Sequence, residues 1–180
     1  MNSNFLYVGL DDSNHAGCSK GEIIVSVFSS IQEDSLVKGW GNGRLTSSRL
    51  EDFFKDEERD FRFTLLTDEK YRRGSQNLPQ IAPYLIKSYL EEENIEVDTL
   101  KIYLDGVLKS HERKKLKEQF LDVPNLVVDN FIKKQRMKKN KRIVKGHHCP
   151  RTVYVADSLA NNLYKEPIGK LLEHEKMINI

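Results

Sequence analysis

Three aspartates stand at positions in the sequence where their carboxylates could bind a divalent cation together. Asp11 follows a short apolar run within YVGLDDSN, 7–14, Asp105 closes a second apolar run, and Asp157 interrupts the apolar segment TVYVADSLANNLY, 152–164. Charged side chains are rarely buried unless they are paired or bind a metal. Three carboxylates that converge within about 4 Å repel strongly unless a divalent cation neutralises them, which is the arrangement of a metal-ion phosphoryl-transfer site.

Each acid also has a structural interpretation. Asp11 and Asp12 could form a turn at a strand end, where aspartate is common, and Asp105 before Gly106 could be an ordinary strand-to-turn residue. Asp157 is harder to explain in this way, because an unpaired charge on an apolar helical face is costly. Side chains alternate along a strand, so Asp12 should point away from Asp11 and have a structural role or an accessory role behind the site.

The elements that must position these acids can be read from the apolar pattern. Five segments have strand length and are rich in Val, Ile, Phe or Tyr, and three longer segments have apolar residues at helical spacing. The predicted strands are 5–10, 22–28, 61–66, 99–108 and 125–132, and the predicted helices are 80–93, 110–121 and 152–164, with a short helix within 47–58.

This order of elements predicts a mixed α/β domain that spans residues 1–180. The order is β-β-β-α-β-α-β-α, with antiparallel pairing early and strand-helix alternation later. The first and fourth strands can then lie side by side at the sheet centre, with the last helix beside them. We therefore expect Asp11, Asp105 and Asp157 to converge.

Composition places the chain among globular proteins. Its 180 residues, 38% of them hydrophobic, are enough for one core, and 31% are charged. The N-terminus has no basic region before its short apolar run, and no stretch approaches the roughly 20 apolar residues of a membrane span. We expect a soluble, cytoplasmic protein. Two cysteines are too few for a disulfide framework, so they are free thiols or metal ligands.

The charge is distributed unevenly along the chain. Residues 131–146, FIKKQRMKKNKRIVKG, contain eight Lys or Arg and no acid, whereas residues 50–60 are mostly acidic. The basic tract could be a solvated loop, but its position just before the segment with Asp157 favours contact with a phosphate backbone, which Lys and Arg bind without reading sequence. The candidate nucleic-acid-binding residues are Lys133, Lys134, Arg136, Lys138, Lys139, Lys141 and Arg142.

Histidines and cysteines flank the first and third acids. HAGC, 15–18, follows the first strand, and HHC, 147–149, precedes the last helix. If the two stretches met they could bind zinc, although their spacing is not that of a zinc finger. The alternative is that His15, His147 or His148 contacts substrate phosphate or assists proton transfer.

Three stretches resemble a known superfamily. VGLDDSNHAG, 8–17, resembles the first catalytic strand of the ribonuclease H-like superfamily, and KIYLDGVLKSHERKKL, 101–116, is similar to the second catalytic strand and following helix of PIWI domains, the slicer domain of Argonaute proteins. CPRTVYVADSLANNLYK, 149–165, is similar to the end of PIWI domains, with Asp157 at the metal-ligand position. The resemblance implies a ribonuclease H-like mixed five-stranded sheet flanked by helices, with Mg²⁺ or Mn²⁺ held by Asp11, Asp105 and Asp157.

The chain departs from this family in two respects. It is too short to include the guide-binding domains of an Argonaute, and the fourth acid that the ribonuclease H-like pattern usually includes, a glutamate, has no assigned position. The acids between Asp52 and Glu69 offer several options. Asp68 and Glu69 lie nearest to a predicted strand end, whereas Glu91 to Glu93 are expected on a helix surface.

The leading hypothesis is a metal-dependent nuclease that cleaves RNA or single-stranded nucleic acid. Its partners would be RNA or single-stranded DNA and a second copy of the chain in a homo-oligomer, with no membrane. The first alternative is a catalytically silent nucleic-acid-binding module of the same fold. The second is an ATP-using phosphotransferase, which shares this sheet topology but for which the sequence has no glycine-rich phosphate loop.

Overall fold

The computed structural model describes residues 4–13, 21–41, 43–66, 77–131, 134–137 and 143–166. This part of the chain contains eight strands and four α-helices. The strands are β1 (Phe5–Asp12), β2 (Glu22–Ser29), β3 (Lys38–Trp40), β4 (Arg59–Leu66), β5 (Thr99–Asp105), β6 (Asn125–Phe131), β7 (Lys134–Met137) and β8 (Ile143–Cys149). The helices are α1 (Ser47–Phe53), α2 (Leu78–Glu92), α3 (Ser110–Glu118) and α4 (Arg151–Lys165), with a 3-10 helix over Gln32–Ser35. Among the described residues, no helix has both the length and the apolar character needed to cross a membrane.

Five strands form a mixed sheet in the order β4-β2-β1-β5-β6. β2 is antiparallel to β1 and β4, whereas β1, β5 and β6 are parallel. Early antiparallel pairing followed by strand-helix alternation is therefore confirmed, and so is the side-by-side position of the first and fourth predicted strands. The fold class is α/β, with a mixed five-stranded sheet flanked by helices.

The two faces of this sheet are covered by different helices. Successive strand residues point to opposite faces, so Ile24 packs in the cluster that includes α2, whereas Val25 packs in the cluster that includes α1 and α4. Asp11 pairs with Val25 and Asp12 pairs with Ile24. Asp11 therefore faces α4 and Asp12 faces α2.

Two strands end two or more residues from their predicted ends. β1 was expected to end at residue 10 but continues to Asp12, because Asp11 and Asp12 still pair with β2. The fourth predicted strand was expected to reach residue 108, but β5 ends at Asp105. Gly106 has a φ of 105°, which turns the chain and is readily adopted only by glycine.

A second sheet, in the order β3-β8-β7, was missed from the sequence. β7 and β8 form an antiparallel hairpin from the basic tract, and β8 also pairs with β3. The hairpin has no clear alternation of apolar and polar residues, which is the pattern that identifies a strand. Residues 138–142 between its strands lie outside the described part of the chain.

A buried ion-pair cluster fixes the start of α4. Asp34 is fully buried and accepts hydrogen bonds from Ser29 Oγ at 2.8 Å and Arg59 Nε at 2.7 Å. Arg151 Nη1, in the first turn of α4, lies 3.4 Å from the same carboxylate. Buried charges are tolerated when they are paired and hydrogen-bonded. The cluster therefore connects β2, β4 and α4, and it helps to set the position of the helix that includes Asp157.

Candidate functional site

Three carboxylates converge at one edge of the central sheet. Asp11, Asp105 and Asp157 each offer an oxygen within 4.8 Å of the others. β1 and β5 are parallel neighbours in a register that pairs Leu10 with Leu104, so the next residue of each strand, Asp11 or Asp105, reaches the same edge on the same face. Among the residues that the structure describes, this is the one group of three or more His, Cys, Asp or Glu with metal-binding geometry.

α4 reaches this site because it packs directly on the backbone of β1. Gly9, two residues before Asp11 on the same face, lies against Thr152 and Val153 in the first turn of α4. A Cβ at position 9 would overlap the main-chain atoms of both residues. The absence of a side chain at Gly9 therefore allows the close approach that places Asp157 beside Asp11.

Hydrogen bonds orient two of the three carboxylates. The backbone N–H of Asp12 donates to Asp11 Oδ1 at 2.8 Å. Asn161 Nδ2, one turn further along α4, donates to Asp157 Oδ1 at 3.2 Å and to the Asp157 carbonyl at 2.7 Å. Each bond restricts the rotation of a carboxylate that lies within a largely buried site.

The third carboxylate is positioned by the turn that follows β5. The Gly106 N–H donates to the Phe131 carbonyl at 2.9 Å, and Asn130 Nδ2 donates to the Gly106 carbonyl at 3.0 Å. Arg113 Nη2 holds the Asn130 side chain through a 2.6 Å bond. The end of β5 is therefore attached to β6, which fixes the backbone of Asp105.

The electrostatics of the site favour a cation. Burial raises the pKa of Asp11 well above its usual range, and the charges of Asp105, Asp157 and Asp12 raise it further, against the lowering effect of the Asp12 N–H bond. Asp11 and Asp157 are 7% and 4% exposed, so water screens this repulsion weakly. Three convergent carboxylate oxygens are the hard ligands that Mg²⁺ and Mn²⁺ prefer. The residues therefore fit a divalent metal of this class.

On the opposite face of the sheet, Asp12 belongs to a second buried polar cluster. Asn77 Nδ2, at the start of α2, donates to Glu22 Oε2 at 2.6 Å. Burial raises the pKa of Glu22 to about 7, with a smaller contribution from the charge of Asp12. Glu22 was not predicted as a site residue, because a polar residue at the start of an apolar strand is common. The cluster lies behind Asp11 and does not join the three acids.

The predicted basic residues are only partly placed. Lys134 and Arg136 lie on β7, for which the structure describes the backbone alone. Lys133, Lys138, Lys139, Lys141 and Arg142 lie outside the described residues. The assignment of these side chains to nucleic-acid binding therefore stays a prediction.

The histidine and cysteine stretches are described on one side only. His147 and His148 lie on β8, opposite Trp40 and Gly39 of β3, and the His148 ring lies directly beside Gly39. Cys149 is buried, whereas His15 and Cys18 lie outside the described residues. Both the zinc and the proton-transfer roles stay predictions.

Only some of the candidates for a fourth acid lie among the described residues. Glu91, Glu92 and Glu93 are exposed at the end of α2, as expected, and the latter two pair with Arg62. Asp68 and Glu69, the candidates nearest to a predicted strand end, lie outside the described residues.

Arg44 is a site neighbour that sequence analysis missed. Its Nε lies 4.0 Å from Asp157 Oδ2, and its side chain is half exposed. The backbone on both sides is held against α4, because Tyr154 Oη donates to the Gly43 carbonyl at 2.6 Å and the Leu45 N–H donates to Ser158 Oγ at 3.0 Å. Arg44 stands in an irregular connection without a motif, so only the fold shows that it lies beside an acid more than 100 residues away in sequence.

Comparisons with known proteins give structural likeness at low sequence identity. No protein-family model matches the chain, and no curated protein matches it. The chain aligns with a chain of the solved PCNA:RNase HII complex from Archaeoglobus fulgidus at 14% sequence identity and a TM-score of 0.48, over 97% of this chain and 83% of that one. The fold class therefore rests on the strand order and directions described above, and the chemistry rests on the residues of the site.

Proposed function

We propose that this chain is a metal-dependent nuclease, a single PIWI-like domain that cleaves phosphodiester bonds of RNA or single-stranded nucleic acid. The observation that supports the proposal is the convergence of Asp11, Asp105 and Asp157 within 4.8 Å, in a site where burial and mutual repulsion raise the pKa of Asp11. A divalent cation bound by the three carboxylates would offset their mutual repulsion, which explains why three buried acids lie together.

In this proposal the chain supplies three carboxylate ligands that the fold holds in position. Bound Mg²⁺ or Mn²⁺ would provide an activated water and stabilise the leaving oxygen of an in-line displacement. Asp11, Asp105 and Asp157 hold the metal, and Asn161 keeps the Asp157 carboxylate in place. The Arg44 guanidinium lies beside Asp157 and is half exposed. It can therefore leave this carboxylate and bind a phosphate of the substrate.

A cleavage assay tests this proposal directly. End-labelled RNA and DNA, each single- and double-stranded, are incubated with the protein in Mg²⁺, in Mn²⁺ or in EDTA, and the products are separated on a gel. We expect metal-dependent cleavage of RNA or of a single strand, and no cleavage in EDTA. The ratio of internal to terminal products also distinguishes endonuclease from exonuclease action.

The matched variant for this assay is Asp105→Asn, which keeps the size of the side chain and removes its charge. We expect its cleavage to fall to the level of the EDTA control, while its thermal melt shows a folded protein. Cleavage equal to that of the wild type would refute the site. If the wild type binds nucleic acid equally well with and without EDTA and cleaves no substrate in either metal, the chain is instead a catalytically silent binding module.

The basic hairpin is proposed to follow the phosphate backbone. Replacing Lys138, Lys139, Lys141 and Arg142 together by Ala should make the slope of log K against log salt shallower by roughly 0.7 per lost contact on a single strand, about 3 in total. Affinity should fall equally on all sequences, because backbone contacts carry no base information. The slope is measured by fluorescence anisotropy of labelled oligonucleotides at several salt concentrations.

The control for the hairpin variant removes the same charge elsewhere. Lys87, Lys114, Lys115 and Lys117 are exposed on α2 and α3, so their joint replacement by Ala lowers the net charge equally. The control should keep nearly the wild-type slope. Equal slopes in both variants would show that the tract acts only through net charge, as a solvated loop does.

A further inference from the structure

A cavity of ≈ 350 Å³ lies beside α4, close to the three acids. Tyr154 lines this cavity and is one helical turn before Asp157, so both side chains emerge on the same side of α4. Leu45, which also lines the cavity, donates its N–H to Ser158, the residue after Asp157. The cavity therefore lies about one helical turn from the proposed metal ligand Asp157.

Three arginines give the cavity a positive lining. Arg59 and Arg151 are held from behind by the buried carboxylate of Asp34, and their guanidinium carbons lie 4.4 Å and 5.1 Å from the centre of the Phe53 ring. Arg49 is exposed and has no ion-pair partner among the residues that the structure describes. Two cations are thus fixed in position, and the third is open to a ligand.

The one carboxylate in the lining is already occupied. Asp52 accepts a hydrogen bond from Lys55 at 2.7 Å, and both side chains are exposed. Arg59 and Arg151 are paired with Asp34, and Arg59 Nη1 also lies 3.3 Å from Asp56 Oδ2, so Arg49 is the cation of the lining that an anion can approach. An exposed guanidinium favours an anionic ligand with planar or bidentate acceptor groups, such as a phosphate.

Aromatic rings form the other wall. Trp40 stacks on Tyr154 with ring centroids 4.9 Å apart and planes 12° apart. Both rings are held by their polar atoms, because Trp40 Nε1 donates to the Cys149 carbonyl at 3.0 Å and Tyr154 Oη donates to the Gly43 carbonyl at 2.6 Å. Aromatic surface combined with arginine is the usual means of binding single-stranded nucleic acid, in which bases stack and phosphates meet cations.

We infer that this cavity binds one nucleotide of a single-stranded nucleic acid adjacent to the phosphate that enters the acidic site. The inference rests on the proposed function and specifies how its substrate is held. Arg44 lies between the two places, since its neighbours Gly43 and Leu45 contact Tyr154 and Ser158 while its own guanidinium lies beside Asp157. A strand could therefore run from the aromatic wall past Arg44 to the three carboxylates.

The chain contains a built-in probe for this site. Trp40 is its single tryptophan, so intrinsic tryptophan fluorescence reports on the cavity wall alone. The full chain is titrated in EDTA, which prevents cleavage, with a ten-nucleotide single-stranded RNA, with the matching DNA, with a nucleoside monophosphate and with inorganic phosphate. We expect a saturable change in Trp40 emission with the RNA or DNA, at concentrations where anisotropy of the labelled strand shows binding.

Arg49→Gln removes the positive charge of the exposed arginine in the cavity lining. We expect this variant to weaken strand binding, followed through Trp40 emission, by about tenfold, as is typical for the loss of one charge-assisted contact. Lys114→Gln, an equally charge-reducing change at an exposed position on α3, should change binding less than about twofold. Neither substitution removes a buried contact, so both variants should fold.

Three results would overturn the inference. One is an unchanged Trp40 emission while anisotropy shows that the strand is bound, and another is an equal effect of Arg49→Gln and Lys114→Gln. A monophosphate that binds as tightly as the strand would assign the cavity to free nucleotides instead. Metal-dependent cleavage by the wild type alongside any of these results would leave the nuclease proposal intact, whereas a chain that neither binds nor cleaves any strand would fail both.

Discussion

Asp11→Asn is expected to abolish turnover and metal-induced stabilisation while making the metal-free protein more stable. The substitution removes a buried charge that lies beside two others. At an effective dielectric constant of about 20, two like charges about 5 Å apart repel by roughly 3 kcal/mol, so the expected gain in metal-free unfolding free energy is on the order of 1 to 3 kcal/mol. A gain of this size raises Tm by about 2 to 4 °C per kcal/mol.

The gain in unfolding free energy from Asp11→Asn should depend on pH. Asp11 has a raised pKa in the folded state, so it holds its proton to a higher pH than it does in the unfolded chain. The unfolded state then binds fewer protons, and the metal-free wild type loses stability as pH rises from the usual carboxyl pKa through the raised one. Asparagine does not titrate. The stability gain of Asp11→Asn should therefore grow as pH rises through the raised pKa of Asp11, and should shrink towards acid pH.

Thermal melts with and without Mn²⁺ measure both effects. A metal present at about 100 times its Kd stabilises the wild type by about 2.7 kcal/mol, and the Asn variant should lose most of that shift. The matched control is Asp12→Asn, the adjacent buried acid that faces α2 instead of α4. It should retain the metal-induced shift. If Asp12→Asn lost the shift and Asp11→Asn kept it, the metal would bind on the face of the sheet that α2 covers. That result would contradict the proposed site.

The parts of the fold that follow from local pattern were predictable. The five central strands and the helices α2, α3 and α4 have apolar residues at the period of their own structure, and all are present within a few residues of their predicted bounds. The meeting of Asp11 with Asp105 followed from topology, because adjacent parallel strands end at the same edge. The convergence of these two acids could therefore be predicted from the order of the strands alone.

The parts that depend on tertiary contact were not predictable. β3 has three residues, and β7 and β8 have no hydrophobic period. β8 pairs with both β3 and β7, so this sheet depends on contacts between segments that are distant in sequence. Arg44 and Glu22 gain their significance from partners that are distant in sequence, Asp157 in one case and Asn77 in the other. The aromatic cavity likewise depends on the stacking of Trp40 with Tyr154, which no local spacing indicates.

Gly9→Ala should be among the most destabilising single substitutions in the described part of the chain. A methyl group at this position would overlap the main-chain atoms of Thr152 and Val153, and backbone cannot move aside as the end of a flexible side chain can. β1 is the central strand and α4 packs along it, so relief of the overlap requires the helix to shift from the sheet. Overpacking of this kind costs about 1 to 3 kcal/mol and occasionally more.

The displacement caused by Gly9→Ala should also affect function in the fraction that remains folded. Moving α4 carries Asp157 away from Asp11 and Asp105, so metal-induced stabilisation should weaken although every ligand is still present. Gly41→Ala is the matched control, because an added Cβ there meets no atom within 4 Å, and its effect should stay within about 0.5 kcal/mol. Urea unfolding and Mn²⁺-dependent melts measure the two effects. If Gly9→Ala unfolded at the wild-type urea concentration and kept the full metal shift, the close packing of α4 on β1 would not be what positions the third carboxylate.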